Sequence, residues 1–164
     1  MKNKVSLNLN VSLLEIILSL LIFATAGIIM INCFAIARFT QIRANDKAIA
    51  GAILQSDFEI IKSFKNADEM HEFLNNSYEV KKDTNKNYIY TKYYDESWNQ
   101  GSTKEYEVTI MLSDENSTSG ELIKIKASAE KEKPYPFIKK EGVQQIYSLE
   151  SKKYFPTLGG RNGE

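Results

Sequence analysis

Apolar residues follow three regimes along the chain, and each predicts a different kind of element. From Val11 to Ala37 they are nearly continuous, with Glu15 as the single formal charge. Roughly 20 helical residues cross a hydrocarbon core, so this run predicts a transmembrane helix. A carboxylate about one turn inside its edge is costly and normally finds a partner. The apolar part of a cleaved secretory signal is about 7–15 residues long and ends at a small-x-small site. This run is longer and no break follows it, so the expectation is an anchor that stays in the membrane.

From Arg38 to Lys65 the pattern changes. There is no proline, and Phe39, Ile42, Ile49, Ile53, Ile60 and Phe64 recur at helical spacing. Gln41, Asp46, Lys47, Gln55, Asp57, Glu59 and Lys62 fall mostly between them, which predicts an amphipathic helix with those residues on its wet face. Residues 11–65 thus read as one helix of about 80 Å at 1.5 Å per residue. Its first half suits lipid or other helices, and its second half suits a sheet.

The third regime is short. Asn66–Asn76 reads as a second helix, with Asn66 as N-cap, Glu69 three residues on, and Met70, Phe73 and Leu74 on the buried side. The period then becomes two: Tyr78–Lys82 and Asn87–Tyr94 predict strands rich in tyrosine and β-branched residues. Asp95–Thr103 reads as a loop. Tyr106, Val108, Ile110 and Leu112 alternate with Glu105, Glu107 and Thr109, and Ile123, Ile125 and Ala127 alternate with Lys124 and Lys126. With Ser113–Gly120 as the link, these form a hairpin that would set Glu105 and Glu107 against Lys124 and Lys126, at about 0.2–1 kcal/mol per pair. Pro134 and Pro136 break regular structure, Val143–Leu149 predicts a last strand, and Gly159–Glu164 a loose tail.

The expected fold class is α+β: a long N-terminal helix whose second half packs on a small antiparallel sheet. The expected organisation is a basic leader (1–10), a transmembrane helix (11–37), its amphipathic continuation (38–65), a soluble α+β domain (66–158) and a tail (159–164).

Composition narrows the function. The 164 residues carry 21 basic and 21 acidic side chains, and setting aside Lys2, Lys4 and Glu15 leaves 19 against 20 beyond Ala37. A near-neutral soluble part argues against nucleic acid as an obligatory partner, since phosphate binding needs clustered positive charge. Cys33 is the only cysteine, so the domain is held by its own core. His71 is the only histidine, and a metal site needs three or four converging ligands. His71 therefore reads as part of a solvated helix face with Asp68, Glu69 and Glu72, and neither metal nor cofactor is expected. No nucleophile elbow, phosphate loop or dinucleotide-binding glycine pattern is present, so no catalytic residue is assigned and no enzyme is expected. Asp114, Glu115 and Asn116 offer oxygen ligands for calcium, but read more simply as a loop tip. Lys81, Lys82, Lys86 and Lys92, interleaved with Tyr88, Tyr90, Tyr93 and Tyr94, offer stacking and charge to single-stranded DNA. The simpler reading is a sheet whose tyrosines cover the long helix while its lysines keep an edge soluble.

The N-terminus carries a resemblance. Lys2 and Lys4, then Asn10-Val11-Ser12-Leu13-Leu14-Glu15 and Ile16-Ile17-Leu18, resemble the class III signal of type IV pilins and pseudopilins over residues 2–45. Asn10 stands where that family usually has Gly, and Val11 where it usually has Phe. The resemblance implies cleavage between Asn10 and Val11 by a prepilin peptidase, N-methylation of Val11, and an assembly role for Glu15 as the fifth mature residue. In the family that acid pairs with the terminal ammonium of a neighbouring subunit. At an effective dielectric near 20, such a pair about 4 Å apart gains about 4 kcal/mol, and heterologous contacts of this kind build filaments.

The implied function is a minor pilin-like subunit of a type IV pilus, a type II secretion system or a DNA-uptake pseudopilus, acting by assembly or initiation. Its implied partners are inner-membrane lipid, other pilin-like subunits through the N-terminal helix, and an assembly platform protein. Its N-terminus would be cytoplasmic and its C-terminal domain extracytoplasmic. The alternative, motivated by Asn10, is an uncleaved bitopic anchor whose extracytoplasmic sheet domain binds a partner.

Overall fold

The computed structural model describes residues 3–82, 87–101, 103–115, 120–136 and 142–156, with side chains from Ser12 onward and that of Lys82 excepted. The tail (159–164), Lys86 and Asn116 lie outside the described residues. Helix α1 runs Asn3–Ser63 and α2 Ala67–Ser77. Five strands follow: β1 Glu79–Lys82, β2 Tyr88–Tyr94, β3 Tyr106–Glu115, β4 Gly120–Lys131 and β5 Gln144–Pro156. Each pairs antiparallel with the next, in the order β1-β2-β3-β4-β5. The class is α+β. Packing divides the chain into two units, residues 1–42 and 43–164.

The first unit is helix alone. Ser12–Ser63 contains a stretch long and apolar enough to cross a membrane, and none of that stretch is buried. The hydroxyls of its two threonines turn back onto the helix: Thr25 donates to the carbonyls of Leu21 and Ile22, and Thr40 to that of Ile36. Such back-bonding satisfies a hydroxyl without water, which is what a lipid-facing helix requires.

The second unit holds the core. Ala50, Leu54, Phe58 and Ile61 of α1 and Met70 and Leu74 of α2 pack with alternate residues of the sheet, among them Tyr90, Val108, Ile110, Ile123 and Ile125. The strict alternation along β3 and β4 follows from the two-residue period that sends successive side chains to opposite faces. Asn66 caps α2 as expected: its Oδ1 accepts from the Glu69 amide at 2.8 Å while its Nδ2 donates to the Glu69 carboxylate at 2.9 Å. Lys153 closes the C-terminus of α1, its Nζ donating to the carbonyls of Ile61, Lys62 and Phe64. Burial at that helix end holds the Lys153 ammonium below its ordinary pKa.

Several expectations are corrected. The buried stripe of α1 is Asp46, Ala50, Leu54, Phe58 and Ile61, whereas Ile42 and Ile60 are exposed. β3 continues to Glu115, which moves the hairpin link outward and changes the register. Lys124 stands opposite Ser113, Lys126 opposite Met111, and Glu107 opposite Glu130. Among the described residues the ion pairs formed are Lys124–Glu150 at 2.7 Å, Lys152–Glu115 at 2.6 Å, Lys131–Glu105 at 2.8 Å and Lys133–Glu105 at 3.7 Å. β5 extends seven residues past the expected Leu149, to Pro156, because β4 offers a partner along that whole length.

Candidate functional site

Two places concentrate chemistry, one in each unit. In the first, Glu15 lies on an exposed helical face with Ser12 and Ser19, lining a shallow groove with Ile16, Leu20 and Phe23. Spacings of three, four and seven residues put these side chains on one side of a helix. Among the described residues Glu15 has no hydrogen-bond or ion-pair partner, and it remains the only formal charge between Ser12 and Ala37. Asn10 and Val11 belong to α1, and their side chains lie outside the described residues. Cys33 is exposed on the same helix as a free thiol.

The second place is built on Asp46. It is only 4 % exposed although it belongs to the residues expected on the wet face of α1. Its carboxylate accepts hydrogen bonds from the Tyr106 hydroxyl at 2.9 Å, the Tyr135 hydroxyl at 2.6 Å and the Trp98 indole at 3.3 Å. Trp98 stacks on Tyr106 with ring centroids 4.1 Å apart. It takes a positive φ of 61°, rare for a bulky residue. The loop before it makes that conformation tenable: Asp95 Oδ1 accepts from the amides of Ser97 and Asn99, so the turn is closed by its own first side chain.

Lys131 completes this node. Its ammonium lies 4.1 Å from the Tyr106 ring centroid, donates to the Tyr106 hydroxyl at 3.0 Å, and pairs with Glu105. Burial alone would lower the Lys131 pKa, but the hydrogen bonds to Glu105 and Tyr106 outweigh it and the net shift is upward. Tyr135 is pushed well up by burial and by its bond to Asp46. Every group here has a partner, and the arrangement offers no free nucleophile or base. It is a clamp between α1, β3 and the segment after β4.

A second long-range bond joins Asp57 of α1 to the hydroxyl of Tyr78, the residue that ends α2, with the Lys92 ammonium 4.4 Å from the Tyr78 ring centroid. Burial raises the Asp57 pKa, and Tyr78 and Lys92 offset that only in part. His71 is not on a solvated face. It is half-buried, its Nδ1 is 2.7 Å from the Tyr90 hydroxyl, and its ring lies 4.7 Å from that of Tyr88. Tyr90 and Tyr94 belong to the core facing the helices, whereas Tyr93 lies near the ammonium groups of Lys81 and Lys104 on the other face. Glu115 is engaged by Lys152, and no cluster of three metal-ligating side chains occurs among the described residues.

Sequence reasoning missed Asp46 and Tyr135. The available signal was spacing: Asp46 lies four residues before Ala50, in line with Leu54 and Phe58. Nothing in the pattern announced Tyr135, which reaches Asp46 from 89 residues away. Compared with family models, curated proteins and solved structures, the chain gives no match.

Proposed function

We propose that this chain is a minor pilin-like subunit of a type IV pilus, a type II secretion system or a DNA-uptake pseudopilus, acting by assembly. The observation that carries this reading is Glu15: an exposed acid without a described partner, in an apolar stretch otherwise uncharged from Ser12 to Ala37, on a helix that runs on to Ser63. An ionisable group in hydrocarbon is costly unless an opposite charge meets it. A neighbouring subunit's terminal ammonium, at Val11 after cleavage, is the partner the N-terminal resemblance supplies. In this reading the sheet domain faces the extracytoplasmic side and Asp46 stiffens its attachment to the helix. Mass spectrometry of the protein from its native membrane tests it, with a mature chain beginning at methylated Val11 as the expected result. An intact Met1, together with no association with pilin-like partners, refutes it.

Asn10, standing where the family's Gly is expected, favours a second reading: an uncleaved bitopic anchor whose sheet domain holds a partner. Glu15→Ala separates the two. An assembling subunit loses entry into the filament, whereas an anchor keeps its membrane insertion and its partner.

A further inference from the structure

We propose that Ser19, together with Ser12, makes the helix face around Glu15 selective for an ammonium group, its hydroxyl accepting an N–H that the carboxylate leaves over. This selectivity rests on the pilin-like reading, in which the terminal ammonium of a neighbouring subunit meets Glu15. It adds two residues that the reading itself does not use.

The hydroxyls of α1 behave in two ways. Those of Thr25 and Thr40 bond back to carbonyls of their own helix. Those of Ser12 and Ser19 do not, and neither has a partner among the described residues. Both serines line the groove that Glu15 lines, with Ile16, Leu20 and Phe23 as its apolar remainder. Ser12 precedes Glu15 by three residues and Ser19 follows it by four, so one hydroxyl lies a helical turn to either side of the carboxylate. Helical side chains lean toward the N-terminus, which tips the Ser19 hydroxyl toward Glu15. Three hydrogen-bond acceptors, none of them engaged, therefore share one face of a helix that is apolar around them.

The charge of Glu15 selects a cation, and the spacing of the acceptors selects its kind. An ammonium carries several N–H donors on one nitrogen, and each that finds no acceptor in hydrocarbon is costly. A terminal ammonium that has been methylated once still has two. One reaches the Glu15 carboxylate, and a hydroxyl one turn away accepts the other. A guanidinium meets a carboxylate through two parallel N–H bonds in a flat fork and gains little from a hydroxyl a turn away.

The test uses the full chain in its native membrane. A zero-length carbodiimide joins a carboxylate to an amine in contact with it, and mass spectrometry locates the bond. An amide between Glu15 and the terminal amine of a neighbouring subunit is expected. Ser19→Ala should lower its yield about tenfold, the equivalent of one hydrogen bond from a charged donor. Thr25→Ala should leave it unchanged, because that hydroxyl is already satisfied within its own helix. Alanine is the better helix former in both places, so neither variant endangers α1. No amide at Glu15 refutes the pilin-like reading and the selectivity together. An amide whose yield is untouched by Ser19→Ala, or falls equally with Thr25→Ala, leaves that reading standing and overturns the selectivity.

Discussion

Asp46→Ala should be the most damaging single substitution on α1 that removes no apolar surface. It strands the Tyr106 and Tyr135 hydroxyls, which donate at 2.9 and 2.6 Å in a buried setting, and the Trp98 indole at 3.3 Å. A buried donor without an acceptor costs about 1–3 kcal/mol, and the three share one acceptor and do not add fully, so the loss should be about 2–5 kcal/mol. A domain of this size has about 5–15 kcal/mol in all. Asp46→Asn retains one acceptor oxygen and should cost about 1–2 kcal/mol. Trp98 is the only tryptophan and sits in the node, so its fluorescence reports directly on it. Urea unfolding of the full chain in micelles should show the alanine variant's midpoint lowered by about 1–2 M at unchanged slope. Tyr135→Phe supplies the internal control. It should cost stability in the native background and almost nothing beside Asp46→Ala, where it removes a stranded hydroxyl. A midpoint shift below about 0.3 M for Asp46→Ala, or equal costs of Tyr135→Phe in both backgrounds, would refute the clamp.

Three further outcomes follow from the second unit, and one from the first. Burial raises the Asp57 pKa above its ordinary 3.8, so the folded state holds the proton more tightly than the unfolded state. Its contribution to stability therefore falls as pH rises from near 3.8 through the raised value, and then stays low. Asp57→Asn should abolish that component, visible as the difference between the two proteins' unfolding midpoints across an acid-to-neutral titration. Lys153→Met removes the ammonium that closes α1 and should cost about 1–2 kcal/mol, with faster amide exchange in the turn ending at Ser63. Gly120→Ala would place a Cβ 2.5 Å from the Phe155 carbonyl oxygen. It should open the end of the β4–β5 pairing at a cost of about 1–3 kcal/mol, read as lost exchange protection near Phe155. Glu15→Ala should leave all of these unfolding parameters unchanged, since the residue makes no described contact with the domain, and any loss belongs to assembly.

Much of the architecture was legible because it is periodic. The apolar run, the helical spacing after it, the Asn66 cap and the alternation of β3 and β4 are local properties, written within a few residues of where they act. The near-neutral balance and single cysteine likewise needed no coordinates. What local pattern could not supply was register and depth. β3 and β4 keep their alternation in registers shifted by two residues, so which charged residues stand opposite one another depended on how far each strand continued. Depth misled in the same way: a carboxylate between apolar residues reads as solvated unless distant donors converge on it.

The sequence by itself therefore determined a helix able to cross a membrane, its continuation, the approximate places of the strands and the isolation of Glu15 within its apolar run, each following from composition and period alone. Only the tertiary structure decided that Asp46 is a buried clamp and that His71 is bound to Tyr90. The reason is distance along the chain. These features join residues from 19 to 89 positions apart, and a hydrogen bond formed across that separation leaves no periodic trace in either segment.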